Sequence, residues 1–492
     1  MKTPSTDLFI LIKSLTPQEK KYFKQLSRVY SDDRENSYEL LFDAIEAQQE
    51  YDEAEIKQKF KGYGFINQLS VAKNYLYDKI LDALYNQHSE VDDMLQIERM
   101  IGRVEILMRR NLMKQALQLY EKTEERMLEM GTLTLLPHLT RQKNLIISRL
   151  LKQFDTNELI KNGDIATHHA NVLHNYLQYE NLQTRLNIIF SDSKLQERKE
   201  IRKQLDELMQ HPLMKDEKNA LSLRSRHFFI KSNYRYLTVK GQWKEAEQMA
   251  IKFLAELEKV KRNTREWQVT YMGIFIDIVE IALHEHNQPL CEKMMKKYGH
   301  ITKEKFYNHI TIQQEYFMFM LDYFAEFEIE AGKALAFYAE HEKWWLSEQS
   351  RMNVIICFRS MFNLMRVYFL AGKYQECIMC FHRFMELKTL NTAEPRARIL
   401  WLMVQYEIRN MELLKNQSKN VMDWFKKHST MNEMEKAILL FFEKLPKARD
   451  KQELRTRFTA MQQTLHKLKA ANPNNSFRDF ERWVEKKIEN PK

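Results

Sequence analysis

Ten glycines and nine prolines are all the backbone breakers that 492 residues contain, less than half the usual share of the two. A sheet-rich chain needs a turn every eight to twelve residues, and turns draw on Gly and Pro. This chain runs instead through long stretches of Leu, Lys, Glu, Gln, Met, Phe and Tyr. The expected fold class is therefore all-α. The same scarcity excludes several chemistries. No two glycines stand five apart ahead of Lys and Ser/Thr, as a P-loop needs. The one Gly-x-Gly, Gly62–Gly64, has Asn67 where a dinucleotide turn needs Gly or Ala. No Gly-x-Ser-x-Gly nucleophile elbow is present.

Hydrophobic residues make up 44% of the chain and 57 are aromatic (28 Phe, 22 Tyr, 7 Trp), enough for a sizeable core and too apolar for disorder. The first apolar run, Leu8 to Ile12, is too short for a signal peptide, and no uncharged stretch reaches the roughly 20 residues of a membrane helix. Four cysteines (Cys291, Cys357, Cys377, Cys380) suit a reducing compartment better than a disulfide framework. The expectation is a cytoplasmic protein with no membrane association. The formal charge of +10 is uneven: residues 1–90 carry 12 basic against 15 acidic side chains, residues 446–492 carry 12 against 6.

One local pattern recurs: an apolar helix ends, a short turn follows, and an amphipathic helix begins. It is clearest at Ala371-Gly372-Lys373-Tyr374-Gln375-Glu376-Cys377 and Lys240-Gly241-Gln242-Trp243-Lys244-Glu245-Ala246, and weaker at Arg110–Ala116, around Asn287 and around Ile329. The steps 241, 287, 329 and 372 are 46, 42 and 43 residues apart. Further steps predict turns near Asp155, Ser191–Ser193 and Lys415. A period near 43 predicts an α-solenoid of stacked helix hairpins, about fifteen helices in all. The turn pattern resembles the tetratricopeptide repeat. Gly372, Tyr374, Cys377 and Phe381 match that family's second helix, and Gly241, Trp243 and Ala246 match in part. The period is longer than that family's 34, and its mid-helix small residue and closing Pro are missing, so the resemblance implies a degenerate relative and transfers no ligand residues.

Residues 1–90 form a separate helical module ahead of the array at 91–445. Thr16-Pro17-Gln18-Glu19 is a capping box that starts a helix over Pro17 to Val29. Asp52-x-x-Glu55 starts a second helix, and Asn67 to Tyr85 a third with Leu69, Ala72, Leu76, Ile80 and Leu84 on one face. The strings Ser14 to Lys24 and Ala72 to Leu76 resemble the opening of a family of uncharacterised bacterial helical-repeat proteins, which implies fold and no activity. Residues 446–492 close the array: a basic helix over Arg449 to Lys469, a loop at Ala471 to Asn475, and a last helix capped by Ser476-x-x-Asp479 with Phe477, Phe480, Val484 and Ile488 on its apolar face.

Cys377-x-x-Cys380 with His382 has no second ligand pair at zinc spacing, and Cys377 takes the small-residue place of the repeat, so both thiols are expected in the core without metal. His168, His169, His174, His284 and His286 share no metal-binding spacing. No cofactor is expected. The stronger signal is charge on the first helix of each hairpin. At 100° per residue, Arg224, Phe228, Lys231 and Arg235 form one stripe in an acid-free segment, Arg359, Asn363 and Arg366 a second, and Arg141, Leu145, Ser148 and Lys152 a third. Between them lie acidic stripes: Glu266, Thr270, Asp277 and Glu280, then Glu304, Asn308, Glu315, Asp322 and Glu326. If first helices line a groove, as in tetratricopeptide-like solenoids, its charge is segmented, and these heads face a partner; otherwise they are solvated faces. The expected function is a non-enzymatic scaffold whose groove takes a protein or peptide. The alternative is a nucleic-acid-associated regulator using the N-terminal module or the basic C-terminus, which the acidic mid-groove would oppose.

Overall fold

The computed structural model describes residues 6–29, 37–89, 92–130, 134–150, 156–191, 199–259, 265–303, 309–349, 352–387, 394–428, 431–471 and 477–489. Among them are 23 α-helices and no strand. In chain order they are α1 (Asp7–Ser14), α2 (Pro17–Val29), α3 (Ser37–Ala47), α4 (Glu53–Lys59), α5 (Leu69–His88), α6 (Asp93–Arg109), α7 (Met113–Met130), α8 (Leu136–Arg149) and α9 (Thr156–Ser191). They continue as α10 (Lys199–Met209), α11 (Leu223–Val239), α12 (Trp243–Lys259), α13 (Arg265–His284), α14 (Gln288–Ile301), α15 (His309–Glu326), α16 (Ala331–Glu348) and α17 (Val354–Leu370). The last are α18 (Tyr374–Glu386), α19 (Glu394–Glu407), α20 (Met411–His428), α21 (Glu433–Lys444), α22 (Lys451–Ala471) and α23 (Arg478–Glu489). The expectation of about fifteen helices matches α6–α21 alone; it overlooked that the N-terminal module holds five.

Packing divides the chain into two compact units, residues 1–129 with 133–169 and residues 130–132 with 170–492. The division falls inside α9 and not at residue 90. Within the first unit, α1–α5 share a core of their own built on Leu8, Ile12, Phe23, Leu41, Phe42, Ile45, Leu76 and Ile80. Its start signals act as the sequence implies. Glu19 N donates to Thr16 Oγ1 (3.2 Å) and Thr16 N donates to Glu19 Oε2 (2.7 Å), closing the capping box of α2. Asp52 Oδ1 accepts from Ala54 N and Glu55 N at the head of α4.

The second unit is built by one repeated device. Gly241, His286, Glu328, Gly372 and Arg409 all take the left-handed conformation, with φ of 79°, 55°, 47°, 70° and 60°. Each follows a first helix, and the next N–H donates five residues back: Gln242 to Leu237, Asn287 to Ala282, Ile329 to Phe324, Lys373 to Tyr368, Asn410 to Gln405. This is the Schellman closure, which satisfies carbonyls that a helix end leaves orphaned. Asn111 (φ 59°) does the same in the first unit, with Leu112 N donating to Leu107 O. The weak turns expected at Asn287 and Ile329 thus exist one residue earlier. The turn expected at Lys415 does not: the last step shortens to Arg409, and Lys415 lies inside α20. Asp155, Asp192 and Ser193 fall outside the described residues.

In this unit the first helices α11, α13, α15, α17, α19 and α21 pack on one another in series, while the second helices α12, α14, α16, α18 and α20 pack chiefly on first helices. A layer whose helices touch each other curves inward relative to one whose helices do not. The first helices are therefore the inner, concave layer. The core between layers runs from Tyr179 to Val484 as one cluster. Cys377 and Cys380 are inside it. Their thiols donate to Met365 O (3.4 Å) and Met361 O (3.5 Å), and burial pushes the Cys380 thiol up to about 12.

The C-terminus departs from a one-dimensional array. The last helices begin at Lys451 and Arg478, two residues and one residue later than expected, and Ser476 lies outside the described residues. Phe480, Trp483 and Val484 of α23 bury against Tyr406, Phe442 and Phe458.

Candidate functional site

The inner layer presents the charged stripes, and their heads mostly meet each other. On α11, Lys231 Nζ lies 3.0 Å from Asp277 Oδ1 of α13. Asp277 is 1% exposed at its side chain, and Lys231, His227 and Arg235 hold its carboxyl well below the usual range against a large burial penalty. His227 packs under it, Nε2 to Asp277 Oδ2 3.8 Å. That packing requires Gly273, because a Cβ there would stand 2.5 Å from His227 Cε1. Arg235 Nη1 donates to Asn187 Oδ1 (3.2 Å), and Arg224 lies 5.3 Å over the Tyr176 ring. Thr270, on the same α13 stripe, is buried.

The second basic stripe behaves likewise. Arg359 of α17 reaches Glu280 of α13 (2.9 Å) and Asp322 of α15 (3.5 Å) and keeps 34% of its side chain exposed. Arg366, two turns on, is 6% exposed and touches Asp322 (2.7 Å), Glu326 (2.8 Å) and Asp479 of α23 (2.9 Å). Asn363 between them is buried, its Nδ2 donating to Met318 O (3.4 Å). Asn363, expected as a groove contact, instead ties α17 to the α15 backbone. Largely apolar helices can carry these arginines because each guanidinium meets carboxylates in a fixed fork.

Glu326 is the hub of this end. It accepts from Arg366, from Arg478 Nη1 (2.8 Å) and from Arg482 Nη2 (3.0 Å), which hold its carboxyl down at about 2 despite burial. Arg478 also donates to Leu283 O and His284 O, the last carbonyls of α13, where a cation meets the negative end of the helix. Lys486 pairs with Glu328 (2.6 Å), while Lys487 (2.9 Å) and Trp483 Nε1 (2.6 Å) donate to Glu407 of α19. Helix α23 thus lies across α13, α15, α17 and α19 and clasps them.

Two inner-face charges have no such partner. Among the described residues, Glu315 of α15 accepts only from Tyr298 Oη (3.2 Å), and burial, with Glu280 nearby, raises its carboxyl to about 7. Arg396 of α19 lies 5.8 Å over the Phe477 ring, with no carboxylate of the described residues at ion-pair distance. The remaining expected residues scatter. Arg141 is exposed on α8 of the first unit; Lys152, Glu304 and Asn308 fall outside the described residues. Glu266 lies in α13, with its side chain outside them. The histidines serve packing: His169 Nδ1 meets Thr140 Oγ1 (3.0 Å), His284 stacks on Trp243 (3.6 Å between centroids), and His286 stacks on Phe327 (4.7 Å). Among the described residues no three His, Cys, Asp or Glu side chains are grouped as a metal site, and no helix is long and apolar enough to cross a membrane.

Sequence reasoning found Lys231, Asp277, Asp322, Arg359 and Arg366 but read them as facing outward. It missed Arg396, His227, Trp483 and the role of Asp479, whose partners Phe477, Asp277, Glu407 and Arg366 lie 81, 50, 76 and 113 residues away and leave no local spacing. No protein-family model matches the chain, and no curated protein matches it.

Proposed function

We propose that the chain is a non-enzymatic scaffold that binds a polypeptide along the inner face of its second unit, and that it is a degenerate, tetratricopeptide-like solenoid of the bacterial helical-repeat family it resembles. The observation carrying this reading is the inner layer itself: a concave stack of six first helices, five of which keep polar heads at Lys231, Glu280, Glu315, Arg359 and Arg396 partly in water. Extended concave surfaces of this kind suit polypeptide ligands. A cytoplasmic setting belongs to the proposal, and the four buried free cysteines agree with it.

The nucleic-acid alternative has less support. The cations of the last helix that would meet phosphate, Arg478, Arg482, Lys486 and Lys487, are paired with Glu326, Glu328 and Glu407. The test is a photo-crosslinking residue in place of Ile355, exposed one turn before Arg359 on α17, against one in place of Met379, exposed on the second helix α18. In native lysate, position 355 should capture polypeptide whether or not nuclease is added, and position 379 should not. Equal capture from both, or nuclease-sensitive capture from 355, would reject the reading.

A further inference from the structure

Within this polypeptide-binding reading, we infer that the ligand is an extended segment carrying one cationic and one anionic side chain, the cation held at Glu315 and the anion at Arg396. The inference rests on what remains after the inner face has neutralised itself. Lys231 pairs with Asp277, Arg359 with Glu280 and Asp322, and Arg366 with Asp322, Glu326 and Asp479. Glu326 is further shared by Arg478 and Arg482. Among the described residues of α13, α15, α17 and α19, Glu315 and Arg396 are left without an ion pair, of opposite sign and on different helices.

Glu315 is half-buried in the middle of the layer. The cations nearest to it, Arg359 and Lys231, are engaged elsewhere, and Glu280 adds a like charge. One of its oxygens accepts from Tyr298, and the other accepts no hydrogen bond from the described residues, which leaves its acceptor capacity unused. A carboxyl raised to about 7 by burial is a group waiting for a cation. Arg396 is its counterpart. Its side chain reaches water, yet enough protein surrounds the guanidinium to lower its pKa, as at the floor of a concavity. Arg366 repels it, and Asp479, Asp322 and Glu326, though near, are bound to other arginines. Arg366, Arg478 and Arg482 share Asp322, Glu326, Asp479 and Glu328 between them, which leaves Arg396 as the guanidinium of this cluster with no carboxylate of the described residues at ion-pair distance. The Phe477 ring holds the Arg396 head in place for a carboxylate to approach as a fork.

The two sites are separated by α17. Packed helices stand about 8–10 Å apart, so α15 to α19 spans roughly 20 Å. An extended chain advances about 3.3 Å per residue, so the ligand's two charges should stand about six residues apart. Charge pairs of this kind at a partly wet face set register and orientation more than raw affinity.

The test is selection of random twelve-residue peptides displayed on phage against the full-length protein at pH 8, in parallel with Glu315→Gln and Arg396→Gln. Neither substitution breaks an ion pair, and unchanged helicity confirms folding. The wild type should enrich peptides with a Lys or Arg and an Asp or Glu about six positions apart, in one fixed order. Glu315→Gln should erase the preference for the cation alone, Arg396→Gln that for the anion alone, each with about a tenfold loss of affinity for the wild-type consensus. A wild-type consensus that lacks the pair, or that both variants retain, would overturn the inference and leave the polypeptide-binding reading standing. Failure to enrich any peptide would overturn both.

Discussion

The two ends of the inner face solve one problem in different ways. At the α11–α13 end a single lysine neutralises a fully buried aspartate, Lys231 to Asp277 at 3.0 Å, between neighbouring helices. At the α15–α19 end Arg366 is the buried member of a network that draws in Asp479, 113 residues away, and through Glu326 the arginines of α23. The first arrangement ties one repeat to the next, as nearest-neighbour solenoid energetics expect. The second ties the end of the chain back across four first helices, so that removing one side chain is felt in several repeats. Charge that reads in sequence as an offer to a ligand is in both cases mostly structural.

The largest effect should come from Arg366→Leu. It leaves Asp322, Glu326 and Asp479 short of a cation, and breaking a buried pair from one side costs about 3–5 kcal/mol. Denaturant unfolding measures it, and hydrogen exchange should show α23 opening together with α15. A variant as stable as wild type would make the network ornamental. Lys231→Met should cost about 3 kcal/mol because Asp277 stays buried without the lysine that pairs with it. Adding Asp277→Leu should recover most of that loss, since an apolar pair of similar volume is often neutral. If the double variant is worse than the single, the local reading of this end is wrong.

Glu315 sharpens the contrast, as a group that the fold tolerates at a cost. Its folded pKa of about 7 exceeds the ordinary 4.5. Stability from this group is therefore greatest below 4.5 and falls as pH rises through 7. Glu315→Gln should raise stability by up to about 3 kcal/mol at pH 8 and leave it nearly unchanged at pH 4. Melting curves at the two pH values decide this, and equal shifts at both would remove the cause assigned here. The smallest effect is expected at the turns. Arg409 is exposed and left-handed where Gly241 and Gly372 do the same work without a Cβ. Arg409→Gly should stabilise by roughly 0.5–1 kcal/mol, against no gain at Lys415, which lies within a helix.

Much of the fold was legible because its signals are local. The capping box at Thr16 and the Gly-aromatic turns at Gly241 and Gly372 act through residues within five positions, so spacing alone locates them. The shortened step to Arg409 was not legible, since four of the six left-handed positions carry Asn, His, Glu or Arg and not Gly. The charged stripes were legible as stripes. What they face was not: a helix wheel places Arg366 on a face, but only the packed α15 and α23 show that Asp322, Glu326 and Asp479 fill it. Arg396 and Glu315 stand out only once every neighbouring charge has been paired, which is a property of the tertiary structure.

The account turns on the claim that α23 is held to the inner face through Arg366, and a double-mutant cycle of Arg366→Leu with Asp479→Asn in denaturant unfolding tests it most directly. The two substitutions should couple by about 1.5 kcal/mol or more, because each removes one side of the same contact at 2.9 Å. Effects that simply add, to within about 0.5 kcal/mol, would contradict it and leave α23 held by its apolar face and its own cations, with no tie through Arg366.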